Sequence, residues 1–244
     1  GVLDSWTAVM IEPYADRPGW VGEPLFTQDA FDALAVEADR RGLQIAVHAI
    51  GDGAVRSVLD GYAAARRANG IRDSRHRIEH IEVVHPDDIP RFAALGVLAS
   101  MQPPHPPGLA GFPLEPTVSR IGRERWPLSY AWRTMKDAGA HVVFASDWPV
   151  APIDPILGIQ AAMRRRPWAQ RDPDQRFGLM EALAGYTAEG AYAEFAEDRK
   201  GRLKPGYLAD LVVLSGDLEA APADALTMIR PVTTIAGGRI TYEA

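Results

Sequence analysis

Gln44-Ile45-Ala46-Val47-His48, Arg77-Ile78-Glu79-His80 and Val142-Val143-Phe144-Ala145-Ser146-Asp147 are the stretches that decide the fold. Each reads as a short buried strand ending on a histidine or an aspartate, a side chain able to hold a metal or move a proton. Continuous apolar runs suit parallel strands covered on both faces. The three endings lie about 32 and then about 67 residues apart, close to one and two strand–helix units of roughly 30 residues. A barrel of parallel strands gathers such endings at its carboxyl face, where barrels of this kind carry their chemistry. A full barrel has eight strands, and this chain supplies about half.

Between these strands the pattern alternates. Thr27 reads as the N-cap of a helix to about residue 41, with Phe31, Leu34, Ala35 and Ala38 at helical spacing. Gly51-Asp52-Gly53 makes a turn, and residues 54–69 read as a second helix closed by Gly70. A short helix over 86–95 ends at Gly96, and residues 97–101 form a further strand. The proline-dense stretch 102–116 reads as a long strand-to-helix loop, because alternation resumes after it with a helix over 129–138 and the strand ending at Asp147. Long loops inside compact domains are usually functional. Helices follow over 155–166 and 178–196. Residues 1–198 are therefore expected to form a partial barrel of about four strands. Residues 199–244, with a strand at 209–214 and a hairpin around Gly237-Gly238, are expected to form a small β module.

The bulk composition narrows the function classes. The chain has 244 residues, a formal charge of -6 and 47% hydrophobic residues. An acidic balance argues against nucleic acid and anionic membrane surfaces, which attract basic patches. No apolar run approaches the roughly 20 residues of a membrane span, and no signal-peptide pattern opens the chain, so the expected setting is cytoplasmic. There are no cysteines, so any metal must sit on histidine and carboxylate ligands. Gly1 in place of a methionine leads to the expectation that the chain is part of a longer protein.

His76 and His80 are four residues apart, the spacing of a helical metal pair. On a strand that spacing spans roughly 13 Å, too far to share an ion. The strand reading of this β-branched segment leaves His80 as the candidate. Each of His48, His80 and Asp147 also has an ordinary reading. The histidines could be bonded to backbone in the core, and Asp147 could cap a turn. Their shared place at strand ends is what favours a metal centre.

These residues, with Val47-His48-Ala49-Ile50-Gly51-Asp52-Gly53-Ala54, Ser100-Met101-Gln102-Pro103, His105 and Ser146-Asp147-Trp148-Pro149-Val150, resemble the amidohydrolase superfamily. The similarity is to its family 3 type, which includes N-substituted formamide deformylases. Tyr186-Thr187 and the stretch from Gly201-Arg202-Leu203-Lys204-Pro205-Gly206 to Leu214 are similar to the carboxyl end of that family. The resemblance implies the carboxyl-terminal half of a metal-dependent (β/α)8 TIM-like barrel with part of a β-sandwich. It implies His48, His80 and Asp147 as ligands of Zn2+ or another divalent metal, with Asp147 also as acid and base. His105, Arg125 and Trp148 become candidate substrate contacts, the substrate being a small amide-like molecule cleaved at a carbon–nitrogen bond. Ordinary roles stand beside these: a solvent-facing loop histidine, a surface arginine, a tryptophan packing the barrel mouth. Asp52 reads better as a helix cap than as a substrate contact.

The chain departs from the family pattern in one respect. Family members carry His-x-His after the first strand, and this sequence has none. Glu12 is the only acid ending an apolar run near the start. The expectation is a partial site that needs an amino-terminal half or self-association, and an isolated chain with weak zinc binding and no substantial hydrolysis. A non-catalytic structural or interaction fragment is the alternative.

Overall fold

The computed structural model describes residues 1–244, which divide into two compact units. The first comprises residues 1–101, 106–142 and 166–175, the second residues 102–105, 143–165 and 176–244.

In the first unit, α1 (Gln28–Arg40) begins where the sequence predicts, with Thr27 Oγ1 accepting from Ala30 N at 3.3 Å. It packs against α2 (Asp52–Asn69), where Phe31 meets the Tyr62 ring at 6.5 Å. Helices α1 and α2 flank β1 (Ala46–Ala49) in the chain, and β2 (Arg77–His80), α3 (Ile89–Leu95) and β3 (Leu98–Met101) follow. Strands β1 and β2 pair in parallel with Ala49 opposite His80, and β2 pairs in parallel with β3, Ile78 lying opposite Ala99. Each strand thus ends at the same edge of the sheet, as the alternation of strand and helix requires. The short helices α4 (Thr117–Ile121) and α5 (Trp132–Asp137) lead to β4 (His141–Phe144), fourth in the order β1-β2-β3-β4.

Burial along the sheet is uneven. All four residues of β3 are buried, whereas Ala46 and His48 of β1 are exposed. Strand β1 is an edge strand with one neighbour, so its apolar run is not covered on both faces as expected.

The irregular first 22 residues contribute to the centre of this unit. Leu3, Ala8, Met10 and Tyr14 join Ile50, Val83 and Ile121 in one buried cluster, against which Trp6, Trp20, Trp126 and Trp168 pack. Their backbone is held without regular structure: Met10 N donates to Val21 O at 2.8 Å and Ala54 N donates to Val9 O at 3.1 Å. The turn glycines after β1 explain the close approach. A Cβ at Gly51 or Gly53 would collide with the Val9–Met10 backbone.

The second unit takes over within β4. Phe144 packs against Phe177 at 5.3 Å and Tyr186 at 5.7 Å. Asp154 caps α6 (Pro155–Arg164) through Ile156 N at 2.9 Å. The predicted helix over 178–196 is two helices, α7 (Leu179–Tyr186) and α8 (Ala188–Ala193). Thr187 breaks it with φ −129° and ψ −84°, and its hydroxyl donates back to Leu183 O at 2.7 Å, a bond that competes with the helical ladder. Strands β5 (Leu211–Leu214), β6 (Pro231–Ala236) and β7 (Arg239–Glu243) form an antiparallel sheet in that order. Gly237 and Gly238 turn its hairpin with φ of 58° and 77°, the geometry that two-residue hairpins demand. Val212 and Val213 point to opposite faces of this sheet, and about half of each is exposed. No helix of the chain is long and apolar enough to cross a membrane.

Candidate metal centre

His48 and His80 end neighbouring parallel strands, and the register that sets Ala49 opposite His80 brings their rings together. His48 Nδ1 and His80 Nε2 stand 2.7 Å apart, with ring centroids 4.9 Å apart and planes inclined by 32°. A contact of that length between two imidazole nitrogens is a hydrogen bond, one ring donating and the other accepting, since two lone pairs repel. His80 is buried and His48 is exposed on the edge strand, so the pair has one wall of protein and one open side.

The backbone at this strand end is unusual. His80 has φ 80° and Ile81 has φ 53°, both in the left-handed region that non-glycine residues avoid. For β-branched Ile81 this is a true outlier. The surroundings hold it: Ile81 N donates to Ala49 O at 3.0 Å, Val83 N donates to Ile50 O at 3.0 Å, and Ile81 is wholly buried. Asp147, three residues past β4, has φ 60°. Strain of this sort, where neighbours over-determine it, is concentrated at functional sites. Two of the three strand-end candidates therefore sit on left-handed backbone, a feature with no glycine in the sequence to announce it.

In the second unit His105 Nε2 lies 3.7 Å from Asp147 Oδ2. That is ion-pair range when the imidazole is protonated, but too long for a hydrogen bond. His105 is buried, Asp147 is 28% exposed at its side chain, and Trp148 is exposed. Val150 N donates to Asp147 O at 2.8 Å, and Trp148 N donates to Ser146 Oγ at 3.2 Å, which fixes the turn that presents the carboxylate.

Arg125 lies in the first unit and makes contacts the sequence did not foretell. Its guanidinium donates to Ile121 O at 2.7 Å, Glu12 O at 2.6 Å and Pro13 O at 3.0 Å. Asp52 begins α2 and accepts from Gly53 N and, across the chain, from Ile11 N, both at 2.9 Å. His76 is buried away from these strand ends. Its Nδ1 accepts from Ile45 N at 3.1 Å and its Nε2 faces Asp39 Oδ1 at 3.1 Å, with Arg72 on the same carboxylate at 2.7 Å. Backbone donation to Nδ1 leaves Nε2 carrying the proton. Burial pushes its pKa below the usual histidine value, Asp39 opposing and Arg72 adding to that shift.

Parallel strands alternating with helices define an α/β protein, with two histidines paired at neighbouring strand ends. Comparison makes this specific: an amidohydrolase family model matches residues 1–242, and the chain belongs to that family. It is 37% identical over 219 residues to Protein LONG AFTER FAR-RED 3 of Arabidopsis thaliana, covering 88% of this chain and 37% of that protein. It is 30% identical over 226 residues to the N-substituted formamide deformylase of Arthrobacter pascens, covering 91% of this chain and 41% of the relative. Among solved structures, an uncharacterized metal-dependent hydrolase from Pyrococcus furiosus is 34% identical with a TM-score of 0.71, over 85% of this chain and 41% of that one. The chain thus spans less than half the length of these relatives.

Proposed function

We propose that this chain is the carboxyl-terminal portion of a cytoplasmic metal-dependent hydrolase that cleaves amide-like, non-peptide carbon–nitrogen bonds with activated water. In this reading residues 1–198 are about four strands and helices of a TIM-like barrel, and residues 199–244 are part of a β-sandwich. The observation that carries it is the convergence of His48 and His80 at 2.7 Å on adjacent strand ends, with left-handed backbone at His80.

The donor chemistry fits a divalent metal. His48 and His80 offer imidazole nitrogens and Asp147 a carboxylate, the set that zinc accepts in catalytic sites. When bound, such an ion supplies Lewis acidity, polarising a carbonyl and acidifying a water. Asp147 would take the proton from the attacking water and return it to the leaving nitrogen. His105, within ion-pair range of Asp147, would hold that carboxylate's charge and contact the substrate. Trp148 offers an exposed aromatic face for an apolar substituent, and Arg125 is the third proposed substrate contact.

The small-molecule substrate class follows the family and its relative named as an N-substituted formamide deformylase. The test is a pair of measurements. Elemental analysis of the purified chain should show weakly held zinc that His48→Ala and His80→Ala each abolish. A longer polypeptide that joins this chain to an amino-terminal barrel half should release amine from N-substituted formamides or related amides, where this chain alone releases little. Zinc content indifferent to both histidines would sink the ligand assignment.

A second reading has its own support in the missing His-x-His motif: a structural or interaction fragment that retains family residues without a complete site. It expects no turnover from the longer polypeptide either.

A further inference from the structure

Two residues past the end of β2, Glu82 brings a carboxylate oxygen within 4.8 Å of a ring nitrogen of His80. His80 also meets His48 at 2.7 Å. One buried imidazole therefore has a second imidazole and a carboxylate for neighbours, all within the first unit. Zinc takes nitrogen and oxygen donors of this kind, and with bonds of about 2.0–2.2 Å two ligand atoms of a tetrahedral ion stand roughly 3.4 Å apart. That spacing falls between the 2.7 Å of the histidine pair and the 4.8 Å bound on Glu82. Small side-chain rotations are enough to admit an ion.

Glu82 is also held as a metal ligand has to be. Tyr130 Oη donates to its Oε2 at 2.8 Å, and Tyr130 N donates to its carbonyl at 2.9 Å. One residue thus fixes the backbone and the side chain together. Residues 82–84 run antiparallel to residues 128–130, with Val83 bridged to Ser129 and Val84 N donating to Leu128 O at 3.1 Å. Tyr130 is itself buried, its ring edge-on to Trp168 at 6.1 Å, and its φ of 50° is left-handed. Carboxylates that bind metals are in turn hydrogen-bonded, and such partners orient them. A carboxylate has about four acceptor sites, so one hydrogen bond does not use up its capacity. Glu79 is in a different position. Strand alternation turns it to the face opposite His80, and it accepts from Arg77 at 2.6 Å.

We propose that Glu82 is a metal ligand beside His80, and that Tyr130 is the residue that positions it. The inference rests on the metal reading of the histidine pair and adds to it a carboxylate that the first unit supplies by itself.

The experiment is competition titration of the chain with zinc against a chromophoric chelator at neutral pH, together with the visible spectrum of the cobalt-loaded chain. Glu82→Gln should weaken zinc roughly tenfold or more and shift the cobalt band, and Tyr130→Phe should weaken zinc by a smaller factor. Glu124→Gln removes the same charge from an exposed site of the same unit and should change neither reading. Glutamine at position 82 keeps an oxygen for the Tyr130 hydroxyl, so the melting temperature of the metal-free chain should hold. Zinc affinity and cobalt spectrum unchanged in Glu82→Gln overturn the proposal; if His80→Ala still abolishes binding, the metal reading itself stands. A loss in Glu124→Gln equal to that in Glu82→Gln also overturns it, since charge alone would then explain both. Zinc binding indifferent to His80 as well removes the ligand and the reading together.

Discussion

At the scale of single residues, Asp147 and Arg125 call for opposite outcomes. If Asp147 moves the proton, Asp147→Asn in the longer polypeptide should lower kcat by about a thousandfold while the protein still melts cooperatively; a loss within tenfold would remove it from the chemistry. Arg125 is bound to three carbonyls from two separate segments. Arg125→Ala should cost about 2 kcal/mol of stability, since three carbonyls lose charge-assisted donors that tie two segments together, and urea unfolding of the isolated chain measures it. His76 gives a pH prediction. Its folded pKa is depressed, chiefly by burial, so the neutral form is the one that fits. The stability it contributes is complete above the unfolded value of about 6.5 and drains away as pH falls from there towards the folded value, because only the unfolded chain takes up the proton. Unfolding free energy should therefore decline as pH falls below about 6.5, and His76→Gln should flatten that decline. Asp39 is also depressed: burial raises its pKa, but the hydrogen bonds from Asn69 and Arg72 outweigh it. Its share is lost only at more acidic pH, and the two slopes separate.

Among elements, the ends of β1 and β2 were legible in the sequence because an apolar run gives way there to a histidine, whereas β4 stops at Phe144, three residues short of the expected end at Asp147. Thr27 and Gly96 marked helix boundaries by the same local logic, one with a hydroxyl that caps and one with a left-handed φ of 68°. Other features left no trace. The segment before α1 lacks periodicity, so nothing in it foretold that Leu3, Met10 and Tyr14 would enter the core. Its docking is written instead in Gly51 and Gly53, read from sequence only as a turn. Gly51→Ala should destabilise the chain by about 2 kcal/mol, because the new Cβ meets Val9 O although Gly51 has an ordinary φ of −81°; thermal unfolding measures it beside Gly190→Ala, where a Cβ meets only open space. The break between α7 and α8 has a different origin. Thr187 is a tolerable helix residue, and only its own bond to Leu183 O turns it into a boundary.

For the whole molecule, the sheet formed by β5, β6 and β7 shows apolar side chains on both faces, with Ile240 and Tyr242 on its outer strand also exposed. Exposed strands with apolar faces invite association. The isolated chain is expected to sediment faster as concentration rises, and Val213→Lys with Ile240→Lys should restore monomer behaviour. A concentration-independent monomer would show that these faces are tolerated in water. The family, too, was legible at this scale, because its motifs recur in order along almost the entire chain. The partners of Arg125 were not: the carbonyls of Glu12, Pro13 and Ile121 meet its guanidinium only in space.

The left-handed backbone at His80 and Asp147 carries an evolutionary consequence. Glycine would relieve each position by about 1 kcal/mol, though at residue 80 it would forfeit the contact with His48. A library of variants selected only for resistance to heat should therefore drift to glycine at position 147, while one selected for turnover in the longer polypeptide should keep aspartate there. Sequencing both pools would show whether the conformation is an accident of the chain or a standing trade between durability and chemistry.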